Sequence, residues 1–279
     1  MRSLRRPTIT SGEILTQCIE SIRDTELTHR LQLAAPTIQA TDAEYINHGN
    51  QETLYTIPSS TGVAGYVSNA EVERVYKNTF VRSVRTRNIY DSIKKLPEND
   101  ICPLCGQRTV FSLDHYLPQA THPTLILTPA NLVPACGECN KIKLAFRATT
   151  AGNQTLHPYF DNVDDDRWLF ARVRESVPAA LIFSAEPPLA WEEVKRQRIH
   201  SHFATFGLGS LYASHSAVEL NNIRYRLQQM SRRNTSQEIC NHLRESAQSC
   251  AVAYPNSWQR ATYEALSESE WFCSGGFNI

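Results

Sequence analysis

Apolar residues recur at helical spacing over most of this chain and at strand spacing in only a few short runs. Ile14, Cys18 and Ile22, then Leu27 and Leu31, predict a helix from about 14 to 33 that Pro36 should end. Thr41-x-x-Glu44 has the form of a capping box, but no sustained apolar period follows it. Residues 45–68, rich in Asn, Gly, Ser and Thr, therefore read as a loop with one short strand. Ser68-x-x-Glu71 is a stronger start signal, because Val72, Tyr76, Phe80 and Val84 follow four residues apart. It predicts a helix over 69–85, then a second piece over 87–96. Far along the chain, 168–173 and 180–184 read as short strands. After Pro187-Pro188 the pattern turns helical over 191–206, 209–232, 236–253 and 257–270, with Thr235-x-x-Glu238 capping the third helix and Asn256 the fourth.

Between these helical flanks lies a stretch of different character, 101–144, whose strand-like runs are Val110–Leu113 and Asn131–Pro134. The predicted fold class is α+β, mainly α, with a small ββα core embedded between helical N- and C-terminal regions. The expected divisions are 1–96, 97–161 and 162–279. Residues 1–10 read as a disordered arm carrying Arg2, Arg5 and Arg6.

Charge narrows the function. Lys plus Arg and Asp plus Glu both number 28, whereas a free-standing DNA binder usually carries a basic surplus. Positive charge gathers only over 71–95, where Arg74, Lys77, Arg82, Arg85, Arg87, Lys94 and Lys95 outnumber Glu71, Glu73 and Asp91. On one predicted helix Arg74, Arg82 and Arg85 share a face, either a solvated surface or a ridge that tracks phosphates. No apolar run approaches the roughly 18 residues of a membrane span, and no apolar segment follows the basic start as in a signal peptide. A soluble, cytoplasmic protein with no membrane partner is expected.

The chemistry is concentrated in 101–144. Cys102-Pro-Leu-Cys105 and Cys136-Gly-Glu-Cys139 lie 30 residues apart, and two such turns can close four thiolates tetrahedrally around Zn²⁺. Four protein ligands leave no open position, so this zinc would be structural. The other cysteines, Cys18, Cys240, Cys250 and Cys273, are scattered and read as small buried hydrophobes. Inside the zinc loop, Asp114-His115 can act together only where the strand ends and bends, because neighbours on a strand face opposite ways. Asn140 follows the last zinc ligand directly, so the zinc would fix where it points.

The order Cys-x-x-Cys, Asp-His-x-x-Pro, Asn-Leu, Cys-x-x-Cys-Asn-x-x-Lys resembles the HNH (ββα-metal) endonuclease family over 101–144. The resemblance implies that His115 is the general base and that Asp114 and Asn140 bind a catalytic Mg²⁺ or Mn²⁺. It further implies that Asn131 braces the loop and orients His115 by a hydrogen bond, and that Lys143 contacts a phosphate. The family often has His at its last position; the HNH domain of RNA-guided Cas nucleases resembles this chain in having Asn there, and an amide oxygen suits Mg²⁺. His157, in His-Pro-Tyr-Phe-Asp, reads either as a loop residue or as a phosphate contact folded back over the site. The expected function is hydrolysis of DNA, as the nuclease effector of a bacterial defence or restriction system. The even charge balance suggests a protein partner, such as an ATPase. A stand-alone DNA or RNA nuclease and a non-catalytic zinc-stapled nucleic-acid-binding module remain the alternatives.

Overall fold

A computed structural model describes residues 1–144 and 148–278. Helix accounts for 55% of it and strand for 9%, so the fold is α+β and mainly α. The chain forms two compact units, Met1–Asn162 and Val163–Ile279.

The first unit opens with helix α1 (Ser11–Ser21), held at its start by a reciprocal capping box between Thr10 and Glu13. Helix α2 (Thr25–Asn50) begins at Asp24, whose side chain accepts from the Leu27 amide. Contrary to expectation, Pro36 sits inside α2. Its ring is exposed, as is Gln32, whose carbonyl loses a partner, so water can satisfy the gap. The inward stripe Leu27, Leu31, Ala34, Ile38 and Tyr45 is buried on both sides of it. Each large side chain there contributes about 1.5–3 kcal/mol, which together outweighs the roughly 3 kcal/mol cost of the proline. Thr41 is likewise no cap; its hydroxyl donates back to the Thr37 and Ile38 carbonyls in mid-helix.

The expected loop over 45–68 holds the end of α2 and a ribbon of two short antiparallel strands, β1 (Gly62–Val63) and β2 (Val67–Ser68). Its turn has two left-handed residues, Ala64 at φ +51° and Gly65 at φ +75°, the second of which glycine adopts without steric cost. Ser68 and Glu71 cap helix α3 (Asn69–Val75) reciprocally. The helix predicted to run on to 85 does not. It widens into a π turn over Tyr76–Phe80 and stops, and Ser83 starts a new helix, α4 (Val84–Lys94). The break is stabilised by Thr86, a fully buried residue whose hydroxyl donates to the Thr79 and Phe80 carbonyls.

Strands β3 (Ser112–His115) and β4 (Leu132–Ala135) pair antiparallel, with Asp114 opposite Val133 and His115 opposite Leu132. Helix α5 (Gly137–Leu144) follows β4 after a single residue. This ββα element shares one hydrophobic core with the N-terminal helices: Leu113, Ile126, Leu127 and Leu132 pack in the same cluster as Ile14, Leu31, Val72 and Phe80. Residues 1–10 are not a loose arm. Met1 is buried, the Arg2 amide donates to the Pro103 carbonyl at 2.8 Å and the Leu4 amide to Pro158 at 2.8 Å. Arg6 lies over the Phe160 ring.

The second unit contains the hairpin β5 (Leu169–Arg174) and β6 (Ala180–Ala185), then helices α6 (Glu193–Thr205), α7 (Leu208–Ser231), α8 (Ser236–Ala253) and α9 (Trp258–Glu268). Thr235 and Glu238 form the predicted capping box of α8. Ser257 caps α9 instead of Asn256. Asn256 is taken up elsewhere: its carbonyl oxygen accepts from the Trp168 and Leu169 amides, and its amide donates to the Val163 and Asp166 carbonyls. Cys240 and Cys273, read as separate small hydrophobes, form a disulfide between α8 and the C-terminal turn. Among the described residues no helix is long and apolar enough to cross a membrane.

Candidate functional site

The four cysteines of the paired knuckles come together. Cys102, Cys105, Cys136 and Cys139 are buried, and their sulfur atoms lie within 4.8 Å of one another. Tetrahedral ligands at a Zn–S length of about 2.3 Å sit roughly 3.8 Å apart, so the cluster could hold a structural metal such as zinc. The knuckle geometry follows from local sequence. Gly106, at φ +63°, lets the chain turn back after Cys105, and its amide donates to the Cys102 carbonyl at 2.8 Å. The Arg108 and Cys139 amides each point at a cysteine sulfur, at 3.4 Å. Within this cluster, thiol hydrogen bonds with Cys102 hold the Cys105 and Cys136 thiols below the usual range, while hydrogen bonds with their neighbours hold the Cys102 and Cys139 thiols above it.

The second cysteine pair starts α5, and Asn140 lies in the first turn, its amide bonded to the Cys136 carbonyl at 3.0 Å. Its side-chain amide donates to Ser112 Oγ at 3.0 Å. Ser112 and Asp114 are two residues apart on β3 and so face the same way. Asn140 and Asp114 therefore belong to one face of the ββα element. Asp114 is buried and its Oδ2 has no hydrogen-bond partner among the described residues. A buried, unpartnered carboxylate oxygen is costly; burial pushes the Asp114 carboxyl up to about 6, with the nearby Lys143 charge pulling the other way. An oxygen-rich face of a carboxylate and an amide, with one oxygen unspent, fits a hard divalent cation.

His115 is the last residue of β3, where the chain bends at Tyr116 and Leu117. Its Nε2 lies 3.0 Å from the Ile126 carbonyl, and its ring meets Tyr76 edge-on at 4.7 Å. The carbonyl can only accept, so Nε2 carries the proton and Nδ1 is left as an acceptor. Burial lowers the His115 pKa to about 4, which keeps the ring neutral. Asn131 does not supply the hydrogen bond expected to orient this ring. It is fully buried and ties the loop instead: Oδ1 accepts from the Leu117 amide at 2.7 Å, and Nδ2 donates to the Leu117 and Leu125 carbonyls, each at 3.1 Å. It thus fixes the residue beside Ile126, and Ile126 fixes His115.

The remaining candidates separate. Lys143 lies one turn beyond Asn140 and is buried. Its ammonium donates to the Tyr116 carbonyl and sits 4.2 Å above the Tyr116 ring, beside a cavity of about 40 Å³. Burial lowers its pKa. His157, offered as a phosphate contact, is fully buried in an aromatic cage and presents no surface to a ligand. Its Nε2 meets the Tyr45 hydroxyl at 3.2 Å, its Nδ1 accepts from the Tyr159 amide, and the Tyr116 and Phe160 rings flank it. Arg74, Arg82 and Arg85 are exposed but do not share a helix face. Arg74 is on α3, Arg82 lies in the break, and Arg85 opens α4, where it pairs with Glu20 at 3.1 Å. Sequence reasoning missed Ser112, Tyr76 and Ile126 as partners of the site. Only Ser112, two residues before Asp114 on a strand, carried a local signal.

No family model matches the chain, and no solved structure matches it. It is similar to protein ea31 of Escherichia phage lambda, with 24% identity over an alignment that covers 99% of this chain and 100% of that protein.

Proposed function

We propose that this chain is a metal-dependent endonuclease of the HNH type that hydrolyses DNA phosphodiester bonds. The observation that carries the reading is the buried, unpartnered Oδ2 of Asp114 on a strand face it shares with Asn140, one residue from a histidine whose tautomer is set. Asp114 and Asn140 would hold Mg²⁺ or Mn²⁺, which offsets the negative charge of the phosphate and of the leaving oxygen. The protein's own groups do the rest. The Ile126 carbonyl holds the Nε2 proton, so Nδ1 of a neutral His115 accepts the proton of the attacking water. The cysteine cluster fixes the first turn of α5 and with it Asn140.

A protein partner belongs to the same proposal, because net charge is zero and the exposed cations near the site are few or already paired. Phage–host conflict, where a defence or restriction effector would act, is the setting proposed for this chemistry.

The test is cleavage of supercoiled plasmid by purified protein at low salt with Mg²⁺ or Mn²⁺, alongside single-stranded DNA and RNA. His115→Ala should lower the rate about 10²–10⁴-fold, the range for loss of a general base, and Asp114→Ala should abolish metal-dependent cleavage. Cleavage that survives His115→Ala unchanged would refute the reading. Preferential cleavage of RNA would move the substrate class.

A further inference from the structure

The π turn that follows α3 brings a second charged group to the site. Tyr76 points at His115, its ring edge-on at 4.7 Å. Around the helix, Glu73 and Lys77 lie about 60° and about 100° from Tyr76, whereas Arg74 lies about 160° away, across the helix. The two charged residues nearest Tyr76's face are thus paired with each other, Lys77 Nζ to Glu73 Oε2 at 2.7 Å. The Lys77 side chain is 54% exposed and that of Glu73 25%. An exposed pair four residues apart on a helix holds its lysine only loosely.

We propose that Lys77 is a phosphate-binding residue for the nucleic-acid backbone next to the scissile bond, and that Glu73 occupies it until a phosphodiester takes its place. The proposal rests on reading the His115 face as a nuclease site. It assigns the backbone contact to Lys77 and not to Arg74, which faces away, or to Arg85, which is held by Glu20. It also accounts for the even charge near the site: the pair is neutral in the free protein and becomes a net cation toward DNA only when the carboxylate is displaced.

The experiment measures binding separately from cutting. A fluorescein-labelled duplex is titrated with full-length protein in Ca²⁺, across a salt series, and the same duplex is digested in Mg²⁺. Lys77→Gln should weaken binding about five- to ten-fold at low salt. It should also reduce the slope of log K against log salt by about 0.9, the loss of one phosphate contact. Lys77→Arg should restore both, and Glu73→Gln should tighten binding about two- to five-fold by removing the competitor. Zinc content and far-ultraviolet circular dichroism should match the wild type, since the pair is on the surface. If Lys77→Gln binds with wild-type affinity and slope, the Lys77 assignment is wrong, even where the wild type cuts DNA. If the wild type binds through Lys77 but His115→Ala leaves cutting unchanged, the phosphate contact stands and the nuclease reading falls. A wild type that neither binds nor cuts removes both.

Discussion

Asp114 should make the metal-free protein less stable, and replacing it with Asn should stabilise the first unit. Its carboxyl is pushed by burial from 3.8 to about 6, a little over two units at about 1.4 kcal/mol each, or roughly 3 kcal/mol. Because the folded pKa is the higher one, the unfolded chain ionises first. Stability is therefore unaffected below about 3.8, falls as pH rises toward 6, and stays reduced above it. Asn cannot ionise and leaves a similar neutral group in the same place. Asp114→Asn should thus match the wild type near pH 4 and exceed it by roughly 3 kcal/mol at pH 7.5. A divalent ion should reverse the order, stabilising the wild type at pH 7.5 far more than at pH 5, where protons compete for the carboxyl. The assay must report on residues 1–162. Trp168, Trp191, Trp258 and Trp271 all lie in the second unit, so tryptophan fluorescence would miss the effect. Urea titration read by hydrogen exchange on peptides from the first unit would not. Equal stability of the two proteins at pH 7.5 in chelator, or no change in their difference between pH 4 and pH 7.5, would refute the reasoning.

Cys139→Ser should lower bound zinc from one per chain, measured by plasma emission, and destabilise the first unit by several kcal/mol, on the order of what a structural metal contributes. The second unit, read by tryptophan fluorescence, should melt unchanged. Asn131→Ala removes a fully buried side chain that makes three hydrogen bonds and should cost about 3 kcal/mol in urea melts of the first unit. Tyr76→Leu takes away the ring that covers His115, so the His115 pKa should rise from about 4 toward its ordinary value near 6.5, seen as a shifted imidazole titration by NMR, with zinc content unchanged.

Much of the fold was legible because its signals were local. Thr235-x-x-Glu238 and Ser68-x-x-Glu71 cap helices that start where the pattern placed them. The two cysteine pairs announced their cluster by spacing alone. The failures were tertiary. Pro36 stops a helix by its own chemistry, but buried side chains on either side of it carry the helix through. The 69–85 helix has an unbroken apolar period, yet the Thr86 hydroxyl, reaching back to Thr79 and Phe80, favours a break there. Asn256 looked like a cap and was claimed by four backbone groups of the distant segment that leads into β5. The N-terminal segment looked solvated because part of what holds it is backbone hydrogen bonds from Arg2 and Leu4, which composition does not record.

The site divides along the same line. Asp114 and Asn140 lie within the ββα element, and their shared face follows from strand alternation and the position of the last cysteine. His115, one residue on, lies where the strand ends and the chain bends. What holds it comes from outside the motif: the Ile126 carbonyl at the end of a loop tied by Asn131, and Tyr76 from the N-terminal helices. A motif read from sequence thus gives the metal-facing half of the site, because that half is local. The proton-accepting half depends on a core in which Leu113, Ile126 and Leu132 pack with Ile14, Leu31 and Phe80. Residues 1–96 are for that reason part of the site's construction: without them the loop that presents Ile126 would lose its packing, and His115 would keep its place in the chain but not its tautomer or its direction.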